Sequence, residues 1–206
     1  MSRIPLPRPE DMSLEQRRVY DAIVSGPRGR LVGPLRAAIH NPELAERWQK
    51  LGEILRFGTS LPPKLNELAI IVTARRWNSQ IEWYIHAEAA RQAGLAQAVL
   101  DAIRSGDTPE FAEEGEHIVY EFARQLQEHG TVSDPIYDRA VALWGPTGVV
   151  ELTAVVGYYT LVSMTLNVHH IPMPDDAKPP LDTPMRGGAP ILTAMPPAHN
   201  WNPEHD

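Results

Sequence analysis

Residues 61–95 read LPPKLNELAIIVTARRWNSQIEWYIHAEAARQAGL, and this stretch decides the fold class. Paired prolines stand where a helix would begin, a position that proline tolerates because its missing amide donor is not needed there. Apolar residues then recur at helical spacing, until Asn78 and Ser79 offer a break and a new cap. A second helix is expected from about Ser79 to Gln92. The stretch therefore predicts two consecutive helices that pack antiparallel.

Helical signals recur in the rest of the chain. Ser13 is a predicted N-cap, and Asn41 followed by proline opens a helix that ends near Gly58. Helical periodicity also covers residues 35–40, 95–106, 111–129, 135–144 and 146–169. No alternating strand pattern of useful length occurs, so the predicted fold class is all-α.

Composition divides the chain into three segments. Residues 1–12 are proline-rich and predicted to be extended, and residues 13–171 form the helical domain. Residues 172–206 are a proline-rich tail without an apolar period. The tail is either a disordered end or a segment that wraps a neighbouring subunit. Trp201 and the apolar stretch APILTAM (189–195) support the second alternative.

Composition also excludes several functions. The 206 residues carry a net charge of −7, which argues against nonspecific binding to nucleic acid or to an anionic membrane. Residues 152–168 lack charge but contain several polar side chains, so a buried helix is favoured over a membrane span. The N-terminus has no apolar core typical of a signal peptide, and we expect a cytoplasmic protein. Cysteine is absent, which excludes disulfides, thiolate metal ligands and a peroxidatic thiol.

One constellation suggests chemistry. Glu82 and His86 are four residues apart and share a helix face, and Glu67 lies on the preceding helix. If the two helices bring them together, two carboxylates and an imidazole would share a partly apolar pocket beside Trp83 and Tyr84. Burial would raise the pKa of a carboxyl group, and a neighbouring carboxylate would raise the pKa of the imidazole. Such a histidine can exchange a proton near neutral pH.

Two other interpretations of these residues stay open. Glu82 and His86 can be an ordinary solvated pair, with Glu67 on an exposed face. Alternatively, the two carboxylates and the imidazole can bind a divalent metal, although metal sites usually recruit further ligands. Spacing alone favours the solvated pair. The apolar residues on either side of Glu67 argue against it, because they place this acid in the most apolar helix of the first hundred residues.

The segment EWYIH (82–86), placed after PKLNELAI (63–70) and before the run HAEAARQAGL (86–95), resembles the carboxymuconolactone decarboxylase and alkylhydroperoxidase D superfamily. The resemblance covers roughly residues 15–172. It implies an all-helical bundle in which an antiparallel helix pair carries the site, and homo-oligomers that are commonly trimers or hexamers. In the peroxidase branch, two cysteines would fall on Ser79 and Glu82. Because neither position is cysteine, thiol peroxidase activity is excluded.

The decarboxylase branch also lacks the two cysteines and retains the glutamate and the histidine. The resemblance therefore implies a cofactor-free lyase that removes CO2 from a small carboxylated lactone, as in the catabolism of aromatic compounds. His86 would donate the proton, while Glu82 and Glu67 tune or share it. Ser79 would lie at the substrate, as would Trp83 and Tyr84. Candidates for anchoring a substrate carboxylate are Arg56, Arg75, Arg28 and Arg30, with a hydroxyl from Tyr158 or Tyr159.

Three hypotheses follow from the sequence. The first is a lyase or isomerase that needs no cofactor and acts on a carboxylated lactone-like molecule. The second is a metal-dependent enzyme that uses Glu67, Glu82 and His86 as ligands. The third is a non-catalytic oligomeric module with a vestigial pocket.

Overall fold

The computed structural model describes residues 2–174, 177–183, 185–186 and 189–199. Helices dominate this part of the chain, after a short 3₁₀ turn at Pro9–Asp11. They are α1 (Leu14–Ser25), α2 (Leu35–Ala38), α3 (Pro42–Phe57), α4 (Pro63–Arg76), α5 (Gln80–Gln92), α6 (Gln97–Ser105), α7 (Glu114–His129) and α8 (Asp134–His169). A two-residue antiparallel ladder joins β1 (Met185–Arg186) to β2 (Ala189–Pro190), with Met185 opposite Pro190. The all-α prediction is confirmed.

Helix boundaries follow the local signals in the sequence. Ser13 and Gln16 form a reciprocal capping box at the start of α1. Asn41 caps α3 by accepting a hydrogen bond from the backbone amide of Leu44 at 3.1 Å. Within α8, Gly145 has a φ of 65° and a ψ of −179°, and proline follows it. This kink coincides with the predicted break between residues 144 and 146.

α4 is the central helix of the bundle and packs against α5, α7 and α8. Residues 68–75 of α4 are all buried, including Thr73 and Arg75. A helix that is apolar on nearly every face must be enclosed by other elements, because no side of it gains from contact with water. The strongly apolar stretch noted in the sequence is therefore the core of the protein.

α4 and α5 form a helical hairpin. The chain reverses at Asn78, which has a positive φ of 51°, and the amide of Ser79 donates to the carbonyl of Ala74 at 2.9 Å. Asparagine tolerates this left-handed conformation better than most residues. The reversal places Glu67, nine residues before Arg76, opposite His86, which lies nine residues after Trp77.

α8 is long and apolar enough to span a membrane by length and composition alone, but half of its most apolar window (50%) is buried inside the bundle. The exposed side of its second half carries an apolar stripe at helical spacing, which we call the α8 stripe. Its members are Val150, Ala154, Gly157, Leu161, Met164 and Val168. Val150 is 68% exposed and Val168 is 53% exposed, so the described residues leave much of this stripe uncovered.

The described part of the tail lies along the protein's own body. The amide of Thr193 donates to the carbonyl of Arg76 at 3.1 Å, and Met195 is buried. The hydroxyl of Tyr120 donates to the carbonyl of Pro196 at 2.7 Å. These contacts attach residues 191–198 to α4 and α7. Trp201, which motivated the prediction of a neighbouring subunit as partner, lies outside the described residues.

Candidate active site

His86 lies between two carboxylates at the centre of the helical hairpin. Its Nδ1 is 2.6 Å from Oε2 of Glu67 on α4, and its Nε2 is 3.3 Å from Oε2 of Glu82 on α5. The side chain of His86 is only 3% exposed, against 13% for Glu67 and 6% for Glu82. The prediction of a buried cluster of these three residues therefore describes the structure better than a solvated surface pair.

The two carboxylates determine the protonation state of His86. Burial by itself lowers the pKa of this imidazole, but the charges and hydrogen bonds of Glu67 and then Glu82 outweigh it. They raise the pKa of His86 from 6.5 to about 9. The imidazole is therefore protonated at neutral pH, and each ring nitrogen can donate a hydrogen bond to a carboxylate.

A pocket opens on the Glu82 side of the imidazole, whereas Glu67 lies behind it. α8 contributes two aromatic rings: Tyr159 packs edge-on against His86 with 5.0 Å between ring centroids, and Tyr158 contacts Tyr159 in the same way at 5.2 Å. Burial is the main cause that raises the pKa of both tyrosine hydroxyls. The residues that line the pocket are Arg28, Val32, Gly33, Pro34, Leu35, Arg56, Glu82, Ile85, His86, Tyr158, Tyr159 and Val162.

Two arginines supply positive charge to this pocket. Arg56 comes from the last turn of α3, and Arg28 comes from the loop between α1 and α2. Nε of Arg28 is buried and has no hydrogen-bond partner among the described residues. A buried guanidinium donor without a partner is costly, so this atom favours an anionic ligand.

Gly52 on α3 allows Arg28 and Tyr158 to meet. A Cβ atom at this position would overlap the Tyr158 hydroxyl and Nη2 of Arg28. The ring of Tyr158 is further fixed by Trp48, with a T-shaped contact at 6.5 Å between centroids. Glycine is therefore required by the close approach of two pocket side chains to the α3 backbone.

The pocket has a cavity volume of about 30 Å³, which is room for roughly two water molecules. A neighbouring cavity of about 210 Å³ shares the residues Val32, Gly33 and Ile85 with it. Arg30 and Arg36 line that second cavity. The loop that contains Val32 and Gly33 thus separates the small pocket from a larger and positively charged space.

Several residues predicted to bind substrate lie away from this pocket. Trp83 is buried on another face of α5, where it lines a separate cavity with Arg91, and Tyr84 is 43% exposed. Helical geometry explains the correction, because residues 82 and 86 share a face that residues 83 and 84 do not. Ser79 is fully buried at the N-cap of α5, and its Oγ has no hydrogen-bond partner among the described residues.

Arg75 also lies elsewhere, although it was a candidate carboxylate anchor. It is eight residues beyond Glu67, which is about 12 Å along the helix axis. Its Nη1 donates to Oγ1 of Thr193 at 3.0 Å and also to Oδ1 of Asn78. Of the candidate arginines, the pocket thus contains Arg28 and Arg56, while Arg30 lines the neighbouring cavity.

The arrangement around His86 does not resemble a metal site. In the described ranges, no group of three His, Cys, Asp or Glu side chains is placed to hold a metal ion. Both ring nitrogens of His86 already face carboxylate oxygens, and the imidazole stands between Glu67 and Glu82. These three side chains point at one another rather than at a shared coordination centre, which favours proton transfer.

Sequence reasoning did not identify the loop residues 32–35 or Gly52 as parts of the site. The loop reaches the pocket only through tertiary packing, and no local pattern marks it. Gly52 had a weak signal, since a glycine within an otherwise regular helix often reports a close approach by another group.

The chain was compared with known proteins. No family model matches it, and no curated protein has significant sequence similarity to it. Its structure is similar to that of an uncharacterized peroxidase-related protein from Ralstonia eutropha JMP134, which is described as an alkylhydroperoxidase AhpD core. The TM-score is 0.67 and the sequence identity is 15%. The match covers 85% of this chain and 93% of that one. A similar protein from Silicibacter sp. TM1040, also described as peroxidase-related, gives a TM-score of 0.63, 14% identity, and coverage of 82% and 90%.

The debrominase Bmp8 is a third structural neighbour. A cysteine-to-alanine variant of it in complex with 2,3,4-tribromopyrrole matches with a TM-score of 0.66, 14% identity, and coverage of 85% of this chain and 95% of that one. Similarity at this level of identity establishes the architecture and not the reaction. The chain has the alkylhydroperoxidase D-like fold, as the resemblance in residues 61–95 predicted.

Proposed function

We propose that this protein is a cofactor-free carbon–carbon lyase that decarboxylates a small carboxylated lactone, in the manner of carboxymuconolactone decarboxylases. The observation that supports this most is the buried His86 held between Glu67 and Glu82 beside a pocket that two arginines line. The site combines an acid with groups that bind an anion, and decarboxylation requires both.

The proposed reaction proceeds in two steps. The bond between the substrate and its carboxylate breaks, CO2 leaves, and the electron pair delocalises into the conjugated lactone as a dienolate. A proton from Nε2 of His86 then bonds to carbon, either directly or through Glu82, which also lines the pocket. Solvent returns one proton to His86, so each turnover consumes one proton and releases one CO2.

The arginines would position the substrate and stabilise its charge. The unpartnered Nε of Arg28 suits a carboxylate oxygen, and Arg56 adds a second positive charge on the same pocket. A lactone is larger than a cavity of about 30 Å³. We therefore infer that residues 31–34 move on binding, so that the substrate also occupies the neighbouring cavity.

The chemistry of thiols is not available to this chain. Two structural neighbours are described as peroxidase-related, and the debrominase variant had a cysteine replaced. This protein contains no cysteine, and Glu82 and Ser79 stand where the resemblance places the dithiol. A carboxylate and a hydroxyl cannot form the sulfenic acid on which thiol peroxidases depend.

The first test is the release of CO2 and the uptake of protons from 4-carboxymuconolactone. We expect turnover by the wild-type protein after treatment with a chelator, and a loss of at least about 100-fold in His86→Ala, a typical size for general acid catalysis. Glu88→Gln is the matched control, because Glu88 is an exposed glutamate on α5 that pairs with Arg91. It should retain wild-type activity.

Three results would count against the proposal. Equal turnover by wild type and His86→Ala would remove the histidine from the reaction. Absence of turnover by the wild-type protein would remove this substrate, and loss of activity on chelation would instead favour the metal-dependent hypothesis.

We also propose that the protein is a cytoplasmic homo-oligomer, a trimer or a hexamer. The α8 stripe supports the oligomer, because monomers seldom expose a continuous apolar helix face of this length. Val150, Leu161 and Val168 are each more than 45% exposed along it.

A further inference from the structure

A further cavity, separate from those beside the active site, lies between the described tail and the ends of α4 and α6. It has a cavity volume of about 400 Å³ and is lined by Arg75, Arg104, Ser105, Pro180 and Asp182. Four of these five residues are charged or hydroxylated, so the lining is polar. The proposed catalytic reaction does not use this space.

Arg75 is the central feature of the cavity. It is 5% exposed, and burial lowers the pKa of its guanidinium despite the attraction of Asp182. Its Nη1 is used by Asn78 and Thr193, but its Nε is buried and has no hydrogen-bond partner among the described residues. No carboxylate of the described residues forms an ion pair with it. Asp182 attracts this buried cation without a direct ion pair, so an anion in direct contact with the guanidinium would stabilise it.

The guanidinium group of Arg75 has two edges that can donate hydrogen bonds. Nη1 faces the same side as Cδ, so the other edge presents Nε and Nη2 side by side. That pair of donors matches two oxygens of a phosphate or a carboxylate. Nε of Arg75 has no hydrogen-bond partner among the described residues, so this edge can bind an oxyanion in a bidentate manner once the buried side chain turns toward the cavity.

The rim can complete such a site. Arg104 lies in the last turn of α6, where its side chain is 52% exposed and pairs with Asp101 at 3.3 Å. Ser105 adds a hydroxyl donor beside it. Asp182 is the only acidic residue among the described residues of the lining, and it is exposed on the tail, where solvent screens its charge. The lining itself therefore has more positive than negative side chains, although Asp101, outside the lining, pairs with Arg104.

We propose that this cavity binds a small oxyanion, a phosphate or a carboxylate, on the guanidinium of Arg75, with Arg104 and Ser105 at the rim and the buried Nε edge turned toward the ligand on binding. The site is independent of the proposed lyase activity. Because Arg75 also binds Thr193, the anion would sit at the point where the tail attaches to α4.

Calorimetric titration of the full chain with inorganic phosphate, and separately with succinate, at constant ionic strength tests the proposal. We expect saturable binding of at least one probe, weakened about ten-fold or more in Arg104→Gln. Arg17→Gln is the matched control, since the side chain of Arg17 is 49% exposed and pairs with Asp21 on α1. It should bind as the wild type does. Tighter binding of one probe shows whether the site prefers a phosphate or a carboxylate.

Arg75→Lys tests the bidentate edge, because it keeps the positive charge and removes the paired donors. It should lose binding to an even greater extent than Arg104→Gln. If this variant does not fold, the comparison of Arg104→Gln with Arg17→Gln still shows whether the oxyanion binds in this cavity. Equal affinity in those two variants, or no saturable binding of either probe by the wild type, would overturn the proposal.

Discussion

Replacement of Glu67 by glutamine probes the protonation state of His86 most directly. The charge of Glu67 and its 2.6 Å hydrogen bond are the largest influences that raise the pKa of His86 to about 9. Glutamine keeps the size of the side chain and removes the charge, while burial continues to lower the pKa. We expect the pKa of His86 to fall by at least about one unit, which corresponds to roughly 1.4 kcal/mol.

The raised pKa of His86 in the wild-type protein also makes the stability of the fold depend on pH. A histidine with a raised folded-state pKa stabilises the native protein fully below its unfolded pKa of 6.5, and this contribution is lost as the pH rises through about 9. The free energy of unfolding of the wild type should therefore decrease across this window by on the order of 3 kcal/mol. In Glu67→Gln, the pH range over which the free energy of unfolding decreases should be narrower and should end at a lower pH.

Proton NMR titration of the imidazole resonances measures this pKa without any assumption about the substrate. The chain has eight histidines, and a spectrum of His86→Asn identifies the resonance that belongs to His86. Urea unfolding at pH 6, 7.5 and 9 measures the change in stability. Glu88→Gln is again the control, because its carboxylate is exposed and bonded to Arg91.

A titration midpoint in Glu67→Gln within about 0.3 units of the wild type would refute the reasoning, since Glu67 would then not be the main cause of the shift. A titration midpoint near 6.5 in the wild-type protein would also refute the reasoning, because the pKa of His86 would then not be raised. If the lyase proposal also holds, activity should fall as the pH rises through the midpoint that NMR reports.

Two further predictions concern packing. Gly52→Ala should displace Tyr158 or Arg28 and destabilise the fold by about 1–3 kcal/mol in urea unfolding. A free energy of unfolding equal to that of the wild type would contradict the proposed clash. Leu161→Glu in the α8 stripe should convert an oligomer to monomers in sedimentation velocity, because it would bury unpaired charge. An unchanged sedimentation coefficient would show that the stripe is not an interface.

The sequence was sufficient for the helical hairpin because each signal in it is local. The paired prolines, the apolar run and the reversal at Asn78 all act within a few residues of where they occur. Given the hairpin, the facing of Glu67 and His86 follows from their equal distance to the turn. The position of Trp83 and Tyr84 away from the pocket was also predictable, since a step of one or two residues on a helix changes the face.

Tertiary packing alone decided what completes the pocket. Arg28 and Val32 reach His86 through a loop whose path depends on the packing of α1 and α3, and Tyr158 arrives from a helix about 70 residues later. The position of Arg75 away from the pocket could not be predicted, because its height along α4 and the contact with Thr193 are not visible in the spacing of charges. The amino-acid sequence by itself determined an all-helical chain without thiol chemistry and with an acid–base cluster on one hairpin. Only the tertiary structure decided which arginines and aromatic rings surround that cluster, because those contacts join segments far apart in the chain.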